Sequence, residues 1–560
     1  MDKSSIGKIE GYNASSIPIL FEMCRIAKIA ETVNDMVTWR ADNSKISPGF
    51  LIETLIVSII HARKPLWKLE EYWSKQKLEF MLSDSDITAE QLNDDAYGRA
   101  LDKLTKVNMK EMISRVCLTM LQAHDLPIEI LHFDTTSISV EGMYEQETEG
   151  EFSINLGHSK DHRPDLKQFK IGAAVQQNGL PMMGQLLSGN TSDKEWNPEA
   201  VVEAKEFFDK QQYKDIIFIG DSATVSSYEA LQQLKGIQYI SRFPETFACV
   251  TQWKEEAWHG ANWQDVGQIS ISPRENTAHY RVCSFREPIE ENMHRFILVH
   301  STALRKQKEK TLQKRWDKEK QALLKESDRL LKKGFACAED ALRESASFVE
   351  KVEEGHYPIE AQLEERVKRS YSKRGKPKKG DIYQETISYH VSHVIGDRDS
   401  MYCEKDLFMA STFVLITSLL NESLYSNEFI LTEYKQQNSI EQAFRFLKSP
   451  VYLGPVYLKT VERVEALGYV FILVLLIASY LEYRVRKSLS DNDEYLPQPG
   501  GQKARRPSTK TILELLETVL VYHFEGDLIL PDATSPIIFK LLKWIGFEPD
   551  VYTKKLNVIF

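Results

Sequence analysis

The sequence predicts a mixed α/β protein: a sheet core interrupted by a large α+β insertion and preceded by an all-helical N-terminal domain. Three observations carry this prediction. Residues 128–137 read as an apolar strand, with Ile128, Ile130, Leu131 and Phe133, that ends on Asp134 and the hydroxyls of Thr135, Thr136 and Ser137. Asp215-Ile216-Ile217-Phe218-Ile219-Gly220-Asp221 is a continuous apolar run, the mark of an inner strand buried on both faces, and it too ends on Asp. Between residues 15 and 124 the apolar positions recur at helical spacing instead, as in Leu51, Leu55, Ile56, Ile59 and Ile60. A carboxylate at the end of a buried strand is rigidly held yet reachable, so Asp134 and Asp221 point to a metal site.

At 560 residues the chain exceeds what one hydrophobic core organises, and its 42% apolar content is enough to fold several domains. A net charge of -10 does not by itself favour nucleic acid, so any phosphate-binding face has to be local. The six cysteines form no CxxC pair and no metal-ligand spacing, and Met1 to Glu10 lacks the basic-then-apolar layout of a secretory signal. A reducing, cytoplasmic setting is expected. The apolar run 466–481 falls short of the roughly 20 residues that span a bilayer and contains Gly468 and Ser479. It is expected to be a helix buried in the protein, with no membrane partner.

Taken in order, residues 1–125 form the helical domain, a candidate for DNA-end binding. Asn93-Asp94-Asp95 sits where a helix N-cap belongs, before Ala96, Ala100, Leu101 and Leu104. Its basic residues, Arg63, Lys64, Lys68, Arg99, Lys103 and Lys106, suit either a DNA backbone or a solvated face. The first part of the core, 126–243, starts with the Asp134 strand. The loop 157–167 follows, and His158, Lys160, His162, Arg163 and Lys167 make it either a phosphate-facing lip or a plain surface loop. Asn178-Gly179 between apolar runs predicts an antiparallel hairpin. A helix over 198–210, the Asp221 strand, a helix over 227–234 and a strand over 238–243 complete this part. Strand, hairpin, helix, strand, helix, strand is the ribonuclease-H-like order.

The insertion, 244–400, is expected to hold strands around 279–285 and 296–300. A Lys/Glu-rich helical arm over 304–333 follows, with Leu312, Trp316, Leu323 and Leu330 in near-heptad register, then a return helix over 338–354. The basic run 373–379 suits a phosphate-contacting loop or a solvated turn. Strand patterns resume over 386–395 and 408–417. The second part of the core, 401–490, contains a helix in which Ile440, Ala443, Phe444 and Leu447 follow one apolar face, while Glu441, Arg445 and Lys448 share the other. Residues 491–560 form a linker and a helical region that includes a helix over 509–523.

Asn438 with Glu441 also fits a capping box, so the glutamate by itself does not define a site. Together with Asp134 and Asp221 it does. These three carboxylates and their contexts resemble the DDE transposases of the insertion-sequence-four superfamily, in a longer-chain subgroup. The resemblance extends to Leu92-Asn93-Asp94-Asp95, His132 to Ser137, Ser159 to Lys167, and Gly220-Asp221-Ser222-Ala223. Tyr434, Glu441 and Lys448 fall at the spacings of that group's tyrosine, arginine, glutamate and lysine signature, with Gln437 where the arginine belongs.

The resemblance implies an enzyme that cuts the ends of an insertion sequence and joins them to target DNA. Asp134, Asp221 and Glu441 would be the catalytic and metal-holding residues, with two Mg²⁺ ions, replaceable by Mn²⁺, and Asp134 bridging them. Tyr434, Arg445, Lys448, Lys160 and Arg163 would contact DNA. Double-stranded DNA, as terminal inverted repeats and as target, is the implied partner. A homodimer assembled on that DNA is implied as well, since two ends need two sites, and the enzyme would be nucleoid-associated when bound. Three other readings compete with this one: a nuclease of the same fold without strand transfer, a non-catalytic DNA-binding relic, and a cytosolic coiled-coil scaffold suggested by residues 304–333, which leaves the strand-end aspartates unexplained.

Overall fold

The computed structural model describes residues 9–40, 45–62, 64–83, 87–124, 126–144, 152–160, 163–269, 277–371, 376, 382–437, 440–441, 444–445, 448, 458–498 and 501–558. The described residues fall into two units, one of residues 1–241, 417–419 and 429–560, the other of 242–416 and 420–428.

The N-terminal region is mostly helical because its apolar residues recur every three to four positions. Helices α1 (Ile17–Ile26), α2 (Ile29–Met36), α3 (Pro48–His61), α4 (Leu69–Lys75), α5 (Leu78–Met81), α6 (Asp94–Leu104) and α7 (Met109–Ala123) lie in it. Asn93 caps α6 as its sequence position suggests, its side chain accepting from the Ala96 amide at 3.0 Å. The region is not all-helical, however. It opens with a strand, β1 (Glu10–Asn13). Four residues are too short to show an alternation, and the partner strand lies at the far end of the chain, so no local signal marks β1.

Strands β2 (Ile130–Ser139), β3 (Gln168–Gln176), β4 (Pro181–Ser188), β5 (Ile217–Gly220) and β6 (Gln238–Phe243) run in the order β4-β3-β2-β5-β6. β2/β3 and β3/β4 pair antiparallel, whereas β2/β5 and β5/β6 pair parallel. A three-strand meander joined to two crossover strands is the ribonuclease-H-like order expected from the sequence. The Asn178-Gly179 hairpin is present, with Gly179 at φ 90, a backbone conformation that glycine adopts without steric cost. Helix α8 (Asp193–Lys210) starts earlier than residue 198, because Ser192 caps it and Pro198 lies within its first turns. Helix α9 (Tyr228–Gln233) connects β5 to β6.

The second unit carries α10 (Ala248–Gly260), β7 (Gln264–Gln268), β8 (His279–Ile289), β9 (Asn292–Ser301), α11 (Thr302–Lys332) and α12 (Ala338–Glu354). It continues with β10 (Ile359–Tyr371), β11 (Tyr383–Ile395), α13 (Ser400–Ser411) and β12 (Thr412–Thr417). The near-heptad residues of α11 are used within the chain: Leu312 and Trp316 cluster with Leu407, and Leu323 with Phe348 and Val352. Trp253 is a core residue, its ring 4.6 Å from that of Phe296. Residues 408–411 are helical rather than part of the predicted strand, because Asp399 caps α13 and the chain extends only from Thr412. β10 pairs with β11 from Ile359↔Ile395 to Tyr371↔Tyr383, and nearly all of β10 is exposed, which leaves it no burial pattern to read.

Helix α14 (Asn427–Lys435) precedes the described helical residues between 440 and 448. Helix α15 (Val461–Asp491) is long and apolar enough to cross a membrane, yet its apolar window is 89% buried inside the protein. It is a core helix, as expected. Its N-terminal turn is tied to α6 by Arg463, whose Nε and Nη2 donate to the Asp102 carboxylate, each at 2.7 Å. It lies close to β4 because both surfaces carry glycine. A Cβ on Gly468 would come 2.6 Å from Leu186, and one on Gly184 2.8 Å from Ile472. Gly468→Val is therefore expected to lower stability by about 1–3 kcal/mol through overpacking. Adding Leu186→Ala should restore part of the loss in thermal melts; no recovery in the double variant would place the strain elsewhere.

After the short strands β13 (Leu496–Pro497) and β14 (Lys503–Ala504), helix α16 (Thr509–Leu516) stops seven residues before the predicted end. Leu520–Phe524 is strand β15 instead, paired with both β1 and β16 (Asp527–Ile529). Helix α17 (Pro536–Ile545) follows.

Candidate active site

Every residue of β2 is buried except Asp134 and Ser139. The parallel register pairs His132 with Ile219, so Asp134 and Asp221, each two residues further on, lie side by side; Asp221 follows the end of β5 as expected, whereas Asp134 stands in the middle of β2 and not at its end, because Thr135 to Ser139 go on pairing with β3. Neighbouring strands are about 4.8 Å apart. Two carboxylates placed this way repel each other and lose hydration. Burial first, and then each other's charge for Asp221, push both above the usual carboxylate range.

Each is fixed by specific donors. Asp134 Oδ1 accepts from the Thr135 amide at 2.7 Å and from Lys160 Nζ at 3.1 Å. Asp221 Oδ1 accepts from Asn197 Nδ2 and from the Ala223 amide, both at 2.9 Å. Asn197 comes from α8, which lies close to β3 because Gly172 leaves room for Trp196; a Cβ there would be 2.3 Å from the indole.

The same helix contributes Asp193 in its first turn, a residue the sequence reading passed over. Its Oδ1 accepts from the Thr135 hydroxyl and from Lys170 Nζ, both at 2.9 Å. Burial alone would raise its pKa, but the Lys170 and Lys160 ammonium groups and the Thr135 bond hold it below the usual carboxylate value. The signal was present in Ser192-Asp193, a cap followed by an acidic first-turn residue, with Asn197 one turn later.

Lys160 does not turn outward. Its ammonium donates to Thr135 O at 2.6 Å and Thr135 Oγ1 at 3.1 Å as well as to Asp134. Arg163 is exposed and bound to Asp165, with Nη2 2.7 Å from Oδ2. His158 and Lys167 are also in this loop, whereas His162 lies outside the described residues.

On the remaining candidate segment, Ile440 and Phe444 are buried while Glu441 and Arg445 are exposed, the predicted division of faces; Lys448 is half-buried. Asn438, Ser439, Ala443 and Leu447 lie outside the described residues. Tyr434 is half-buried on α14, next to Glu433. Burial raises the Glu433 carboxyl, and its oxygens accept from Gln177 and, at 3.3 Å, Gln436. Among the described residues no group of three or more Asp, Glu, His or Cys side chains is gathered at metal-binding range. Asp134 and Asp221 thus stand as a pair, and Glu441 is not brought to them.

The donors present suit a hard cation. Asp134, Asp221, Asp193 and the Thr135 oxygens are all hard ligands, and a positive group, the Lys160 ammonium, already sits among three of these residues' oxygens.

Fold and site together define an α/β protein of ribonuclease-H-like strand order with a paired-aspartate site. The family model described as Transposase DDE domain matches residues 125–477, more than half of the chain, and a domain of unknown function (DUF4277) matches residues 12–118. The chain belongs to the DDE-domain transposase family, whose members use divalent metal ions. No curated protein matches it. Among solved structures it is similar to a Mos1 transposase paired-end complex with left transposon end, at 12% identity and a TM-score of 0.15, over 36% of this chain and 74% of that one.

Proposed function

We propose that this protein is a DNA transposase that cuts insertion-sequence ends and joins them to target DNA, as a member of the insertion-sequence-four superfamily. The observation that supports this most is the register that sets Asp134 beside Asp221 within a DDE-domain match. Glu441, which does not stand with the two aspartates in this structure, is the third carboxylate of this reading and would have to be carried to them when metal and DNA bind. Asp134, Asp221 and Glu441 would hold the two Mg²⁺ ions of this reading, which would supply activation of the attacking oxygen and neutralisation of the leaving one.

The chain's own contribution is positioning. Asn197 and the Ala223 amide occupy Asp221 Oδ1 and leave Oδ2 free of them; the Thr135 amide fixes the Asp134 carboxylate in the same way. Tyr434, Arg445 and Lys448 hold the DNA backbone, Arg445 and Lys448 through positive charge and Tyr434 through its hydroxyl. In the first step, water attacks phosphorus at the element end and the P–O3′ bond breaks, freeing a 3′-hydroxyl. In the second, that hydroxyl attacks a target phosphodiester and displaces its 3′ oxygen. Two ends require two sites, so the working form is a homodimer on DNA.

The test is to incubate the protein with Mg²⁺ and a duplex carrying the inverted repeats that flank its gene. Nicks at the repeat tip and joined products, both abolished by EDTA, are the expected result. Cleavage without joining would make it a nuclease, and end-specific binding without cleavage a DNA-binding relic.

A further inference from the structure

The Lys160 ammonium has the surroundings of a bound metal ion rather than of a surface lysine. Four oxygens face it: Thr135 O at 2.6 Å, Asp134 Oδ1 and Thr135 Oγ1 at 3.1 Å, and Asp193 Oδ2 at 3.6 Å. The backbone is anchored at the same point, since the Lys160 amide donates to Oγ of the fully buried Ser137 at 2.9 Å. Three carboxylates, Asp134, Asp193 and Asp221, act on this ammonium. The nearby Lys170 is engaged with Asp193 and with Thr191 O, at 2.9 and 2.6 Å, and makes no bond to Asp134. Lys160 is thus the cation that balances Asp134.

We propose that Lys160 is a tethered counter-ion that occupies the cation position at Asp134, competes with the divalent metal for that carboxylate, and is displaced by it toward the DNA phosphate. The inference rests on the reading of Asp134 as a metal ligand. Its physical basis is simple. An ammonium and a divalent cation cannot share one carboxylate oxygen without strong repulsion, and a lysine stem carries its charge through several ångströms by rotation alone. Before metal arrives, the ammonium keeps two adjacent carboxylates from repelling each other unopposed. Afterwards the same charge is released beside the site where phosphate would lie, so one residue serves both states.

The test is Mn²⁺ binding to the full-length protein without DNA, followed by the electron paramagnetic resonance of free Mn²⁺. Lys160→Met and Lys160→Gln are compared with wild type, Lys160→Arg and Asp134→Asn, each checked for folding by circular dichroism. Removing the competing charge should tighten Mn²⁺ binding by about tenfold, the scale on which one adjacent charge shifts a carboxylate equilibrium. Lys160→Arg should bind no tighter than wild type, and Asp134→Asn should not bind. If Lys160→Met and Lys160→Gln bind Mn²⁺ as weakly as wild type or more weakly, while Asp134→Asn abolishes binding, the counter-ion role is overturned and the metal reading stands. Binding indifferent to Asp134→Asn overturns both.

Discussion

Asp221→Asn is expected to abolish DNA cleavage while making the metal-free protein more stable at pH 8. The amide has the same shape, and its oxygen can still accept from Asn197 Nδ2 and the Ala223 amide, so the two bonds that seat the side chain survive. What is lost is the charge. Cleavage at the repeat tip should fall by about 10²–10³-fold, the order seen when one electrostatic element of transition-state stabilisation is removed. The stability change has the opposite sign. Asp221 is raised above the usual carboxylate value by burial and by Asp134, so the folded chain binds its proton more tightly than the unfolded chain does. Between the unfolded value and this raised folded value, stability falls as pH rises. The asparagine variant carries no such penalty. Thermal melts in EDTA should therefore show the variant ahead at pH 8, with the gap closing as pH falls through the folded pKa toward 4. A variant that melts lower at pH 8 would mean that the Asp221 charge is satisfied in the fold, and would remove the argument that the site is strained without its cation.

What the sequence made legible here follows from range. Asp134 and Asp221 were recognisable because each ends its own apolar run, and the Asn178-Gly179 hairpin and the α11 and α12 helices rest on contacts or periodicities within a few residues. Their adjacency was not legible: it depends on the parallel register of β2 against β5, which sets His132 beside Ile219 across a long connection. Asp193 and Lys160 were visible as residues but not as neighbours of Asp134, because the first is brought in by a helix seated on Gly172 and the second by a loop pinned to Ser137. β1 was illegible for a similar reason, being short and finding its partner at the opposite end of the chain, whereas β15 has a local partner in β16 and was covered by the helical pattern over 509–523. By its sequence the loop 157–167 suits a phosphate-facing lip or a plain surface loop. In the structure Lys160 turns inward to carboxylate, a choice set by charges that no local pattern contains.

Arg25→Met should produce the largest stability loss in the region matched by the domain of unknown function, and the loss should grow with pH. Glu53 is fully buried on α3, with Arg25 Nη2 of α1 3.0 Å from its Oε2 and Glu31 nearby. Burial pushes the Glu53 carboxyl up to about 8, with Glu31 adding to the rise, while Arg25 and a backbone bond from Ala30 oppose it. Because its folded value exceeds the unfolded value of about 4.3, Glu53 favours folding less as pH rises across that window. Removing Arg25 strips the main opposing charge and raises the carboxyl further. The cost at pH 8 should reach about 3–5 kcal/mol, as for other buried pairs broken on one side. At pH 5 it should be much smaller, because the stranded carboxyl can stay protonated. Replacing both residues in Arg25→Met/Glu53→Met should recover most of the stability, since two apolar side chains leave no charge to bury. Urea midpoints at the two pH values decide the matter. They are read as midpoint shifts because a chain of two units need not unfold in one step. If Arg25→Met lowers the midpoint equally at pH 5 and pH 8, the loss is packing by the arginine stem. If the double variant is no better than the single one, the helices depend on the pair itself rather than tolerating it.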